Sequence, residues 1–280
     1  MTTPSEDFSG QPAVEPIKNE ITTAQLEALK SALKSLVGIQ FGVLRIPAGA
    51  LVGFEPSQVG TVVGVLMDAC IPQLDLITDD KEILDKVGLK KHAGILKDRE
   101  GYPDYIHSSG LRAELKLLYV DPVGVNMKKP STPREPSARL SQKVTLKNVI
   151  GNKDVLLVVA YQLQPDKKDA RLYVPTIIDL GVFSMIECIR ARDKRLVDAG
   201  GKWFGNYETP AVLSKVGRDM KKRGEVPHDS YGRKESEGKH YNEDTNFGKL
   251  KRVPYPPLQN FLRACGVERG TAGEDVEAES

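Results

Sequence analysis

The chain has 280 residues, of which 40% are hydrophobic and 28% charged, with a formal net charge of +2. That length allows one large domain or two small ones with a full core, and so even a charge balance neither requires nor excludes a polyanionic partner. No run approaches the roughly 18 consecutive apolar residues of a membrane span, the N-terminus is too acidic for a signal peptide, and Cys70, Cys188 and Cys265 show neither metal-ligand nor redox spacing, so a soluble protein of a reducing, cytoplasmic compartment is expected.

Residues 1–20 are polar and hold three prolines, which predicts a disordered segment. Thr22 or Thr23 can cap a first helix running to about Val37, with Leu26, Leu29, Leu33 and Leu36 as its apolar stripe and Gly38 at its end. Residues 39–56 suggest a short strand and loop. Ser57 is the expected cap of a second helix, Val59 to about Cys70, apolar nearly all round and so expected to be buried. Gly60 and Gly64 on it permit another element to approach closely. A helix from Asp79 to Val87 follows, then Lys90, Lys91 and His92 and a turn.

Residues 101–121 read as a β-hairpin. Tyr102 to His107 is one arm, Ser108-Ser109-Gly110 the turn, and Leu111 to Val120 an apolar second arm. A three-residue loop puts His107 opposite Leu111 and, counting back, Asp104 opposite Glu114; opposed residues share a sheet face. Lys116, two residues beyond Glu114, points the same way. A change of one residue in the loop would break this alignment. Two facing carboxylates repel unless a proton or cation lies between them. Mg²⁺ is held by one or two carboxylates with water and phosphate oxygens, and a nearby lysine can orient or deprotonate a water. The chemistry suggested is metal-assisted hydrolysis of a phosphodiester. The plainer alternative is an ordinary solvated strand face, with Asp104 serving the turn.

Pro103-Asp104, nine residues, then Glu114-Leu115-Lys116 resembles the PD-(D/E)xK nuclease signature on its usual hairpin. The resemblance covers about 20 residues. It implies a mixed-sheet nuclease core, Mg²⁺ dependence and cutting of DNA, with Asp104 and Glu114 as metal ligands and Lys116 as the catalytic lysine. Some such nucleases carry a further acid on a preceding helix, for which Asp68 is a candidate and Glu82, on the next helix, a weaker one.

Residues 122–136 hold four prolines and are expected to form a loop. Lys128, Lys129, Arg134, Arg139, Lys143 and Lys147 make the next stretch basic, against the single acid Glu135. Ser137 is read as capping a helix to about Val149, on which Arg139, Lys143 and Lys147 share a face; like charges at that spacing need an anionic partner, such as a phosphate backbone. Lys153 to Gln164 reads as a buried central strand, and Arg171 to Phe183 as another, with Pro175 marking an edge or a beginning. Ser184 is expected to cap a helix to about Ala199 whose later half, Arg190, Arg192, Lys194 and Arg195, is basic. Residues 224–253 lack apolar periodicity and are dense in hydrogen-bonding groups, among them Arg233, Lys234, Lys239, Asn242, Asn246, Lys249, Lys251 and Arg252; arginine reading guanine and asparagine reading adenine are common pairings. A short helix, Pro256 to Val267, and an acidic, disordered tail from 268 to 280 complete the chain.

The expected fold is therefore α/β, a central mixed β-sheet flanked by helices, as one domain over 21–267 with DNA-contacting insertions near 122–148 and 201–253. No Walker loop or dinucleotide fingerprint is present, so no nucleotide cofactor is expected. The expected function is a Mg²⁺-dependent, sequence-specific endonuclease of double-stranded DNA, most like a type II restriction enzyme of a prokaryotic cytoplasm, acting as a homodimer with one centre per strand. A structure-selective repair nuclease and a non-catalytic DNA-binding protein are the alternatives.

Overall fold

The computed structural model describes residues 20–71, 87–92, 101–122, 124–129, 136, 138–141, 144–146, 148–198 and 248–267. Among the described residues, six strands form one mixed sheet: β1 (Ile46–Pro47), β2 (Leu89–Lys91), β3 (Tyr105–His107), β4 (Arg112–Tyr119), β5 (Asp154–Pro165) and β6 (Leu172–Ser184), in the order β1-β6-β5-β4-β3-β2. β4 and β5 run parallel and every other pair is antiparallel.

β5 is central because both of its faces are apolar. Val155, Leu157, Val159, Tyr161 and Leu163 join one core cluster, and Leu156, Val158 and Ala160 join another. Alternate side chains leave a strand on opposite faces, so an unbroken apolar run needs cover on both. α1 (Thr23–Leu33) and α3 (Pro56–Cys70) supply it on the first face, and α4 (Met185–Asp198) and α5 (Pro256–Ala264) on the second. The four-residue α2 (Ala48–Leu51) lies between β1 and α3. The architecture is thus a mixed α/β fold. Among the described residues no helix is long and apolar enough to cross a membrane.

α1 begins as its sequence predicts. The Thr22 hydroxyl accepts from Gln25 N–H and the Gln25 side chain accepts from Thr22 N–H, a reciprocal cap. The helix gives way after Leu33 to a 3₁₀ turn, Lys34–Leu36, and Gly38 takes the left-handed conformation at φ 90°.

α3 departs from expectation twice. Pro56 occupies its first turn, and Glu55 with Gln58, not Ser57, makes the cap. Nor is it buried all round. Val59, Val63 and Met67 face the core, but Val62 and Val65 are 55% and 69% exposed. Its glycines do admit a neighbour: a Cβ on Gly60 would lie 3.3 Å from Tyr119 Cβ, and the Tyr161 hydroxyl donates to the Gly60 carbonyl at 3.0 Å. Of the helix expected over 79–87, only Val87 falls among the described residues.

Lys90 and Lys91 belong to a short strand to which the sequence reading assigns no element, since three residues are too few for an alternating pattern to reveal it, and the turn expected after His92 lies outside the described residues. Pro175 pairs with Leu163 on one side and offers its carbonyl to Phe41 N–H on the other. It lies near the start of β6, where the outer neighbour is only a short segment. The helix expected over 137–149 does not form at the described positions. Arg139 instead makes an antiparallel bridge with Lys249, with Leu140 N–H donating to the Gly248 carbonyl and Leu250 N–H to the Ala138 carbonyl. The reason is tertiary: Arg192 of α4, fully buried, takes the carbonyls of Ser141 and Val144 that a helix would have used for itself. That also explains one of the four cations on α4. Another, Arg190, pairs with Glu187 and Glu20.

Candidate functional site

The hairpin has the expected register. His107 N–H donates to the Leu111 carbonyl and Gly110 N–H to the His107 carbonyl, closing the loop Ser108-Ser109-Gly110, with Gly110 left-handed at φ 84°. Tyr105 pairs with Ala113, so the next position sets Asp104 opposite Glu114. One step further the ladder stops at Pro103, which has no N–H to give. There the Leu115 N–H donates to Asp104 Oδ2 at 2.8 Å. The carboxylate of Asp104 thus stands in for a strand, and β3 does not run alongside β4 beyond that point.

Glu114 is 4% exposed. Its Oε1 lies 2.6 Å from Lys116 Nζ, while its Oε2 is buried without a hydrogen-bond partner among the described residues. Burial pushes the Glu114 carboxyl up to about 7, the Lys116 ammonium pulls it down, and the Asp104 charge beside it raises it again. Such a group asks for a proton or a cation. Asp104, Glu114 and Lys116 therefore meet on one face at one spot, as the sequence spacing requires.

They line a cleft of about 790 Å³. Gly60, Thr61, Gly64 and Val65 of α3 also line it, with Tyr119 and Tyr161, packed edge-to-face at 5.6 Å, and with Arg139 and Ser141. Lys91 and His92 also line it, and sequence reasoning gave them no role. Extending the β2–β3 register by one residue sets His92 opposite Asp104, and His92 N–H donates to the Asp104 carbonyl at 2.9 Å. His92, Asp104 and Glu114 thus form a row across three chain segments. The only sequence signal was the basic character of Lys90-Lys91-His92, and nothing in it gives the register.

Beneath this row lies a sealed network. Asp154 Oδ2 accepts from the Tyr102 hydroxyl at 2.5 Å, from an Arg112 terminal nitrogen at 2.9 Å and from Ile150 N–H at 3.0 Å. Arg112 Nε and Asp154 Oδ1 form an ion pair at 2.7 Å, too bent for a hydrogen bond. Tyr102 directly precedes Pro103-Asp104, and Arg112 shares β4 with Glu114, so this network fixes both acid-bearing segments to each other.

The other expected site residues are scattered. Arg139 lines the cleft, and Lys249 is its bridge partner. Lys128 and Lys129 are exposed, Lys128 4.0 Å from Glu55. Lys251 and Arg252 lie in a 3₁₀ turn, Leu250–Arg252. Asp68 is on α3, with its side chain outside the described residues, as are Glu82, Arg134, Lys143, Lys147, Arg233, Lys234, Lys239, Asn242 and Asn246. Among the described residues no group of three or more His, Cys, Asp or Glu side chains is placed to hold a metal. Two carboxylates in an open cleft suit a hard cation that keeps its waters and takes further oxygens from a phosphate. Comparison with protein-family models, with curated proteins and with solved structures gives no match for this chain.

Proposed function

We propose that the chain is a Mg²⁺-dependent endonuclease that hydrolyses phosphodiester bonds in double-stranded DNA at specific sequences, in the manner of a type II restriction enzyme on a PD-(D/E)xK core. One observation carries this reading: a buried Glu114 with an unpartnered oxygen, beside Asp104 and 2.6 Å from Lys116, at the edge of an open cleft. The residues present fit the ion. Asp104 and Glu114 would hold it, since each already has one oxygen fixed, by Leu115 N–H and by Lys116 respectively. Mg²⁺, when bound, supplies positive charge that polarises a phosphate and favours ionised carboxylates.

The chain's own groups do the rest. Lys116 sits where it can orient a water, or take a proton from it, and offset negative charge growing on phosphorus-bound oxygens. Tyr102, Arg112 and Asp154 hold the acids in place. Parallel pairing of β4 with β5, with the acids on the flank of β4, is compatible with a restriction-endonuclease-like core. A homodimer placing one such centre on each strand would cut a two-fold symmetric site.

Plasmid digestion with Mg²⁺ tests the proposal. Discrete fragments that vanish with EDTA and with Glu114→Gln support it. A smear or branch-selective nicking transfers the same centre to a structure-selective nuclease, and no cleavage under any divalent cation rejects catalysis.

A further inference from the structure

We infer that the main-chain N–H of Leu117, left bare where β3 ends, holds a backbone phosphate of the DNA next to the bond to be cut. The contact needs a nucleic-acid strand in the cleft and so rests on the nuclease reading.

The pleat decides which amides are bare. Arg112 N–H donates to the Lys153 carbonyl and Val120 N–H, just past β4, to the Tyr161 carbonyl, so the even-numbered amides along β4 serve β5. The odd-numbered ones point to the other edge. β3 pairs with β4 only at Arg112 and Ala113, and Asp104 Oδ2 takes the N–H of Leu115. Leu117 N–H comes next on that edge, and among the described residues no acceptor meets it. Counting on from Tyr105 and Ala113 would set Gly101 opposite Leu117, but the pairing has already ended and Tyr102 is held by Asp154. The gap so left belongs to the cleft, which Gly101, Pro103, Leu117 and Tyr119 all line.

The same edge shows what such an amide takes. Leu115 N–H already holds an anionic oxygen, that of Asp104. Leu117 N–H lies one pleat repeat further on, roughly 6.5–7 Å along the strand. That step is longer than one phosphate group, so a phosphate seated at Asp104 and Glu114 leaves the amide to its neighbour in the DNA chain. Among the described residues Lys91, Lys116 and Arg139 line the cleft against Asp104 and Glu114, a balance that favours an anion there. β5 pairs with β4 along its whole length, so the donor is held in place before any ligand arrives. A contact of this kind sets the register of the DNA strand and reads no base.

The test turns one amide into an ester, with leucic acid, the α-hydroxy analogue of leucine, in place of Leu117 or of Leu118. Each ester weakens one bond between β4 and β5: at 117 through the Lys116 carbonyl, at 118 through the lost N–H. Only the ester at 117 also takes a donor from the cleft. Duplex affinity with Ca²⁺ and plasmid cleavage with Mg²⁺ should both be roughly tenfold or more lower for the ester at 117 than for the ester at 118. In a duplex spanning the mapped cut, an uncharged methylphosphonate at one of the two phosphates flanking that cut should weaken wild-type binding and add little to the loss at 117. Two esters that behave alike overturn the contact and leave the nuclease reading standing. Losses that simply add at both flanking phosphates also overturn it. A wild type that does not cut DNA overturns the nuclease reading and takes the contact with it.

Discussion

Asp154 and Glu114 stand on neighbouring strands, on the same face of the sheet, and are 1% and 4% exposed. Around Asp154 three donors converge on one oxygen and a guanidinium lies against the other. Glu114 has one lysine on one oxygen, no hydrogen-bond partner among the described residues on the second, and the Asp104 carboxylate beside it. Equal burial with unequal satisfaction separates architecture from a candidate site. A buried charge whose partners are complete fixes a geometry, whereas one whose partners are incomplete keeps the fold under a cost that a ligand can relieve.

Exchanging a charge for an amide is the sharpest way to probe this difference. Glu114→Gln should reduce Mg²⁺-dependent cleavage by about three orders of magnitude, equivalent to ~4 kcal/mol in the barrier. Its melting temperature at pH 8 should hold or rise, because a poorly paired buried charge is gone. A melting temperature that collapses would make Glu114 a second Asp154 and end the contrast. Asp154→Ala should do the reverse of a site mutation. It strands Arg112 and should cost about 3–5 kcal/mol of folding free energy in urea titration.

Proton linkage gives a third measurement. The folded pKa of Glu114, near 7, is above its unfolded value, so between about pH 4.5 and 7 the native state holds a proton that the unfolded state has released. Stability should therefore decline as pH rises through that window, by on the order of 3 kcal/mol, and Glu114→Gln should remove the decline. Added Mg²⁺ should restore stability above pH 7 in the wild type and not in the variant. A wild-type profile without the decline would show that the Glu114 charge is well accommodated after all. The smallest effect is expected from Tyr102→Phe, which removes one of several donors to Asp154 and should cost about 1 kcal/mol by the same urea titration.

The acid wall was legible because its geometry is local. A three-residue loop ending in Gly110 fixes the pairing, and once His107 meets Leu111 the positions of Asp104, Glu114 and Lys116 follow by counting. β5 and β6 were legible through their apolar runs, within a residue or two at each end. The segment around Arg139, which also lines the cleft, was not. Arg139 recurs with Lys143 and Lys147 at helical spacing, yet the segment is held by Arg192 and by residues 248–250, more than a hundred positions later, and no local pattern carries that pairing. The exposure of Val65 was missed for a similar reason: α3 is apolar enough to be buried, but the flank that carries Val65 borders the cleft. His92 escaped notice because its register depends on a strand of only three residues.

The single parallel pairing has a consequence for the order in which this molecule opens. β5 and β6 are joined by a short connection, Asp166–Arg171, and can meet early as a local hairpin. β4 reaches β5 only by way of the crossover 120–153, a slower closure to achieve and an easier one to lose. Amides along β5 and β6 should then exchange with solvent only by global unfolding, and those of Leu117 and Tyr119, which point to the flank of β4 beyond the end of β3, well before them. The acids would sit at the boundary between the part of the protein that breathes and the part that does not.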